Sequence, residues 1–388
     1  MRTHSLGFVL LVLLTSPRAQ TTWVVDALGR PGTNFTDLPA AVAAAAPGDV
    51  IALRYVDPLV SPYQGASISK GLTVVGVGGR PGIVGRLQVG LVPAGQHAVL
   101  RNLRLAPFQN GSSTSGDCSL LVRSNSGSVH LQDVDRDATF TFTYPLNQWQ
   151  VSDNELVTMT ECSFPMVSTV SMQVTRVREL VMARCTVAPS NATGFATMQV
   201  ADSSLILLDS SVVGSVFGAG GSAAISSCDA RIHLAGAATR VLGGGGHDAI
   251  DGAFGGLCTG LTQLVVGQGA AVGTTNNTAT TMASVPALGA FVDDNSRLDT
   301  NVAGEPSGFA GLWAGLPAAT PVPIFGGTFY LDVAGMLVLP VLGLDAQGHA
   351  TWQIQLPAIA TGSSLWLQGL TVGNGEVGLL TPAVVTMP

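Results

Sequence analysis

Apolar and polar residues alternate along short runs that recur through the first two-thirds of the chain. Val99-Leu-Arg-Asn-Leu-Arg-Leu105, Val129-His-Leu-Gln-Asp-Val-Asp135, Val157-Thr-Met-Thr-Glu-Cys-Ser163, Leu180-Val-Met-Ala-Arg-Cys-Thr186, Leu205-Ile-Leu-Leu-Asp-Ser-Ser211 and Ile232-His-Leu-Ala-Gly-Ala-Ala238 align at intervals of about 21 to 31 residues. Leu72-Thr-Val-Val-Gly-Val77 lies one unit earlier. Alternation of period two predicts strands, and a long fixed period predicts stacked units. Each run breaks at one residue and then resumes, at Gly76, Asn102, Asp133, Glu161, Arg184, Asp209 and Gly236. Most of these are Gly, Asn or Asp, which accept a left-handed backbone or bond their own turn, so the break reads as a sharp corner. Glu161 and Arg184 fall outside that set and predict looser corners. A strand-corner-strand unit buries its apolar side only against the next unit. The expected fold is all-β, a right-handed parallel β-helix over residues 20–300, with Leu100, Leu131, Met159, Met182 and Leu207 in one interior column.

The two ends of this solenoid differ. Trp23-Val-Val-Asp26 predicts a first strand, and residues 37–46 predict a short Ala-rich helix with Thr36 as N-cap and Pro47-Gly48 as its stop. Laid over the first coil, such a helix covers the end of the apolar column. Beyond Leu298 the repeat is lost and no Lys or Arg occurs. Residues 301–323, with Pro306, Pro317, Pro321 and Pro323, read as a linker. Residues 324–388 carry alternating runs between Gly and Pro turns and predict a small antiparallel β-sandwich.

Composition narrows the classes. The 388-residue chain is 46% hydrophobic and holds 48 glycines, while charged residues make up 11%, against roughly 25% in an ordinary soluble domain. That excludes a coiled coil, a helical bundle and a charge-driven disordered chain. With a net charge of -7, one lysine (Lys70) and no basic run, nucleic acid is not an expected partner. Residues 1–19 read as a secretory signal: Arg2 and His4 precede an apolar core from Leu6 to Leu14 and a small-residue end at Ala19. That run is too short to span a bilayer, and no later stretch qualifies. The expectation is export, to a secreted or cell-surface location, from a bacterial producer. Five cysteines (Cys118, Cys162, Cys185, Cys228, Cys258) allow up to two disulfides. Cys162 and Cys185 share a register one coil apart, as a disulfide or as two reduced buried thiols.

Asn34-Phe-Thr-Asp-Leu-Pro-Ala-Ala-Val-Ala-Ala-Ala-Ala-Pro-Gly-Asp-Val-Ile51, followed by Ile68-Ser-Lys-Gly-Leu-Thr-Val-Val-Gly76, resembles the opening of pectate-lyase-like β-helix proteins. The resemblance covers about residues 22–105 by motif and reaches about 290 by period. A rod with many outward-facing Ser, Thr, Asn and Gln and few charges suits contact with a polysaccharide or cell-envelope glycan. If the resemblance extends to activity, it implies β-elimination or hydrolysis on acidic polysaccharide. Motifs of the pectin-esterase branch are missing: where Gly-x-Tyr-x-Glu belongs, the chain has Ser61-Pro-Tyr63-Gln64-Gly65. Galacturonan-hydrolase signatures are incomplete.

Two clusters offer chemistry. Asp133, Asp135 and Asp137 at alternate positions would share a strand face and present hard oxygens to Ca²⁺, with Arg136, Arg101 or Arg104 as base. Asp133 also serves a corner, for which Asp is wanted on backbone grounds alone. Ca²⁺ enters only if the chain is a lyase; otherwise no cofactor is implied. Gly243-Gly-Gly-Gly-His247-Asp248-Ala-Ile-Asp251-Gly252 sets a His beside two carboxylates, in what reads as a flexible glycine-rich excursion. Trp149, Trp352 and Trp366 could stack on sugar rings, though buried strand tryptophans are commoner. No catalytic motif is complete. The expected function is an exported, non-catalytic structural or glycan-binding module, with a polysaccharide lyase or glycoside hydrolase as the alternative. Oligomeric state is not readable from the sequence.

Overall fold

The alternating runs form parallel strands stacked in register from coil to coil. Leu100 lies opposite Leu131, Leu131 opposite Met159, Met159 opposite Met182, and Met182 opposite Leu207, and all five are buried. The computed structural model describes residues 20–57, 62–106, 119–136, 149–164, 170–189, 195–215, 221–252, 258, 260–293, 295–325, 327–356 and 362–387. The leader-like residues 1–19 lie outside them. Three columns of parallel strands wind up the right-handed β-helix. The first runs from Thr22–Val25 through Thr73–Val77 and Ser204–Leu208 to Thr278–Met282. The second runs from Tyr63–Gln64 to Ala271–Val272, and the third from Ser67–Ile68 to Thr275–Asn276. A single apolar core fills the space between them, from Val25 to Val266.

The corner between the first and second columns falls where the sequence breaks. Asn102, Asp133, Glu161, Arg184, Asp209 and Gly236 have φ of 52°, 53°, 57°, 52°, 48° and 84°. Glu161 and Arg184 therefore turn as tightly as their neighbours, contrary to the looser corners expected. They sit one coil apart and form an ion pair, which helps to offset the left-handed backbone each must adopt. Gly76 stays in a strand and is needed for a different reason: a Cβ there would lie 2.1 Å from the Asn102 carbonyl oxygen. A second left-handed corner, which the repeat did not reveal, joins the third column to the first. Ser124, Asp153, Arg176, Asp202 and Asp229 hold φ of 55°, 57°, 50°, 49° and 49°.

The cap helix is Leu38–Ala44, shorter than the expected 37–46. Asp37 rather than Thr36 is its N-cap, because the Asp37 carboxylate accepts from the Leu38 N–H and from the Gln64 N–H of the next coil. Leu38, Ala41 and Val42 face inward and close the column. Asp49 ties the cap down, accepting from the Trp23 indole, the Thr21 N–H and the Ala46 N–H. Cys162 and Cys185 are free buried thiols, while the disulfide joins Cys228 to Cys258; Cys118 lies outside the described residues.

The C-terminal part is a β-sandwich. Ala287–Val292, Arg297–Ala303 and His349–Gln355 make one antiparallel sheet. Phe309–Gly315, Ser364–Gly373, Glu376–Leu379 and Ala383–Thr386 belong to the other. Leu288, Val302, Leu312, Leu367 and Val385 meet between the sheets. Much of the stretch 301–323 that reads as linker is thus strand: three of its prolines, Pro317, Pro321 and Pro323, lie in Pro317–Ile324, which among the described residues pairs only with Gly327–Leu331, an edge position that tolerates a missing N–H. The sandwich lies against the outer face of the first column. Val181, Ala183, Ile206, Leu208 and Ala235 pack on Val285, Ala287 and Ala303, and Val99 packs on Leu331, Trp366 and Val384. Among the described residues no helix is long and apolar enough to cross a membrane.

Candidate functional site

The sandwich covers the outer face of the first column along its middle coils, from Val99 to Ala235. Arg101 is buried there, its Nη2 donating to the Val292 carbonyl at 2.9 Å. Gln132 is buried beside it, its Oε1 accepting from the Thr386 N–H at 3.0 Å. Arg104 lies past the corner, half-buried in the second column.

The expected aspartate cluster is divided by the strand it sits on. Asp133 occupies the corner and Asp135 the next outward position, and both carboxylates bind Arg80. Arg136 alternates to the other side, in register with core Leu105. Burial pushes its guanidinium down to about 10, and its Nε and Nη1 have no hydrogen-bond partner among the described residues. Asp137 lies outside the described residues. Arg136 therefore does not share a face with Asp133 and Asp135, and the two described carboxylates are occupied by Arg80, which does not suit a Ca²⁺ donor set. Among the described residues no group of three His, Cys, Asp or Glu could hold a metal ion. Next to Asp133, burial raises the Glu161 carboxyl despite its pairing with Arg184, and Arg184 also lies 5.3 Å over the Phe291 ring of the sandwich. This corner is a charged latch between coils and sandwich.

The glycine-rich segment is packed rather than loose. A Cβ on Gly243 would meet the His247 carbonyl oxygen at 1.9 Å, and one on Gly244 the Ser215 carbonyl oxygen at 1.9 Å. Close backbone approach demands these glycines. His247 is exposed on the turn, with Asp248 and Asp251 half-buried. Trp149, Trp352 and Trp366 are buried and present no face to a sugar ring. Trp149 is buried against Phe164, Trp352 donates its indole N–H to the Pro340 carbonyl, and Trp366 lies in the seam under the sandwich.

The second corner is different, because the sandwich leaves it open. Four successive coils line a groove of about 710 Å³: Ser124–Ser126, then Asp153–Glu155, then Arg176 and Arg178, then Asp202. Its floor is an asparagine ladder. Asn125 donates to Asn154 Oδ1 at 2.7 Å and accepts from the Val92 N–H, while Asn154 donates to the Val122 carbonyl. The rim is exposed and charged. Arg176 forks onto Asp153 through Nε at 2.6 Å and Nη2 at 3.1 Å, and Arg178 pairs with Glu155. The Arg176 hydrogen bonds hold the Asp153 carboxyl below its usual range, the reverse of what a general acid needs. Geometrically the groove is a fixed array of donors and acceptors along the rod. Sequence reasoning missed it because its corner residues are Ser, Asp, Arg, Asp and Asp, which form no visible repeat. Signals were present in Asp-Asn-Glu at 153–155 above Ser-Asn-Ser at 124–126, and in the runs Trp149-Gln-Val151, Met172-Gln-Val174 and Met198-Gln-Val200 that lead into the corner.

No protein-family model and no curated protein matches this chain. Among solved structures it is similar to the enzymatically active domain of tailspike protein 2 of bacteriophage CBA120, with 11% sequence identity and a TM-score of 0.25, over 87% of this chain and 66% of that one.

Proposed function

We propose that the protein is an exported β-helix module that binds a polysaccharide or cell-envelope glycan without cleaving it. Export rests on the leader-like residues 1–19. Binding rests on one observation: the open groove across the second corner, where Asp153, Glu155, Arg176 and Arg178 are held in mutual ion pairs above a floor of bonded asparagines. Side chains fixed by one another lose little freedom on meeting a ligand, so their hydrogen bonds translate into affinity. An acid held ionised by an arginine has no proton to give to a leaving group, which favours binding over hydrolysis.

The test is to incubate the mature protein with a panel of neutral and acidic polysaccharides. Retardation in affinity electrophoresis reports binding. Ultraviolet absorbance of unsaturated ends and the appearance of reducing ends report cleavage. Retardation without either product is expected. Product formation that survives purification would establish the lyase or hydrolase instead.

A further inference from the structure

The groove on the second corner also carries information about its ligand's charge. Its three carboxylates (Asp153, Glu155 and Asp202) face two guanidinium groups, Arg176 and Arg178. Both guanidinium groups already bind carboxylates: Arg176 through two hydrogen bonds to Asp153, and Arg178 to Glu155. An anionic sugar acid would have to displace these partners or lie beside a surplus carboxylate, within a chain of net charge -7. Like charge at contact distance opposes binding. A hydroxyl meets no such penalty, because it can donate to a carboxylate and accept from a guanidinium at once. Adjacent hydroxyls of a neutral sugar thus match the alternation of acid and base from coil to coil. At about 4.8 Å between strands, four coils span roughly 14 Å along the rod, room for a short stretch of chain rather than a single ring.

From these observations we infer that the groove formed by Ser126, Asp153, Glu155, Arg176, Arg178 and Asp202 takes an uncharged, hydroxyl-rich polysaccharide lying along the helix axis. The inference rests on the glycan-binding reading and narrows it. It makes the ligand class opposite in charge behaviour to the acidic polymers that the sequence resemblance implies.

The experiment titrates the full mature chain with a neutral galactomannan and, separately, with linear polygalacturonate, each at low and high salt. Measurements are made on the unaltered protein and on Arg178→Ala, at an exposed position, and Glu155→Gln, at a half-buried one, with folding checked by an unchanged melting temperature. Galactomannan should bind with an affinity insensitive to salt. Each substitution should weaken it about tenfold, the loss of one charge-assisted hydrogen bond. Polygalacturonate should bind weakly or not at all. Tighter, salt-sensitive binding of polygalacturonate overturns the neutral class while leaving glycan binding intact. Galactomannan binding that neither substitution weakens removes the groove as its site and overturns the inference as well. Failure of both polymers to bind overturns the inference and the glycan-binding reading together.

Discussion

Acidification should loosen the seam between solenoid and sandwich, and two histidines set how much. His97 and His130 lie under the sandwich with their ring centroids 4.3 Å and 5.0 Å from that of Trp366. A chain of hydrogen-bonding atoms links them: His97 Nδ1 to Ser128 Oγ at 2.8 Å, Ser128 Oγ to His130 Nε2 at 2.6 Å, and His130 Nδ1 to Thr158 Oγ1 at 2.8 Å. Burial holds His97 down to about 4 from 6.5 and pushes His130 in the same direction, with the neighbouring His97 adding to it. Both rings are therefore neutral in the folded protein at a pH where the unfolded chain is already protonated. The unfolded state then binds more protons, so stability is complete above about 6.5 and falls as the pH drops toward 4. For His97 alone the difference of about 2.5 pH units corresponds to ~3 kcal/mol. His233, also held down by burial, adds in the same sense, whereas Glu179 and Glu161, whose carboxyls are raised chiefly by burial, oppose it. Comparing the unaltered protein with His97→Gln isolates the His97 contribution. Urea unfolding followed by tryptophan emission at several pH values should show the unaltered protein losing stability across this window and His97→Gln losing ~3 kcal/mol less. The same slope in both proteins would refute a neutral His97 in the seam.

Other expectations test the fold and the groove at single positions. Gly244→Ala should destabilise by about 3 kcal/mol, because its Cβ would strike the Ser215 carbonyl. Gly246→Ala, with open space around it and a φ of +85°, should cost only about 1 kcal/mol in backbone strain; equal effects on melting temperature would mean the turn is not packed as described. Asp202→Val should lose about 1–2 kcal/mol at its left-handed corner, while Asp202→Gly stays near neutral, by chemical denaturation. Native protein should leave Cys162 and Cys185 unreactive toward a thiol reagent. Removing the Cys228–Cys258 link, which closes a sequence separation of 30, should lower stability by about 3–4 kcal/mol.

How far the fold was legible follows from which interactions repeat. Leu100, Leu131, Met159, Met182 and Leu207 could be aligned by eye because each must meet its counterpart one coil away, and the first corner shows because a left-handed backbone selects Gly, Asn and Asp. The second corner selects the same conformation, yet Arg176 and Ser124 occupy it, stabilised by neighbours rather than by their own propensity. Propensity is a local signal; an ion pair such as Asp153 with Arg176 joins coils 23 residues apart and leaves no local trace. The cap shows the same limit on a smaller scale: Thr36 and Asp37 are both good caps, and the Asp37 carboxylate gains, beside the local Leu38 N–H, the Gln64 N–H of the next coil.

What the sequence alone determined is the solenoid: the period, the interior column, one corner and the presence of a sandwich after it. Tertiary structure decided where the sandwich lies and therefore which face of the rod remains open. That choice buried Arg101, His130 and Gln132 and covered the middle coils of the first column, while the second corner kept its charged groups in water. A hint was present in the runs Leu180-Val-Met-Ala183 and Leu205-Ile-Leu-Leu208, which are apolar on both faces, as a strand covered on both sides must be. The partner that covers the outer face lies about a hundred residues further on. Its identity depends on matching two surfaces, which no pattern within either segment encodes.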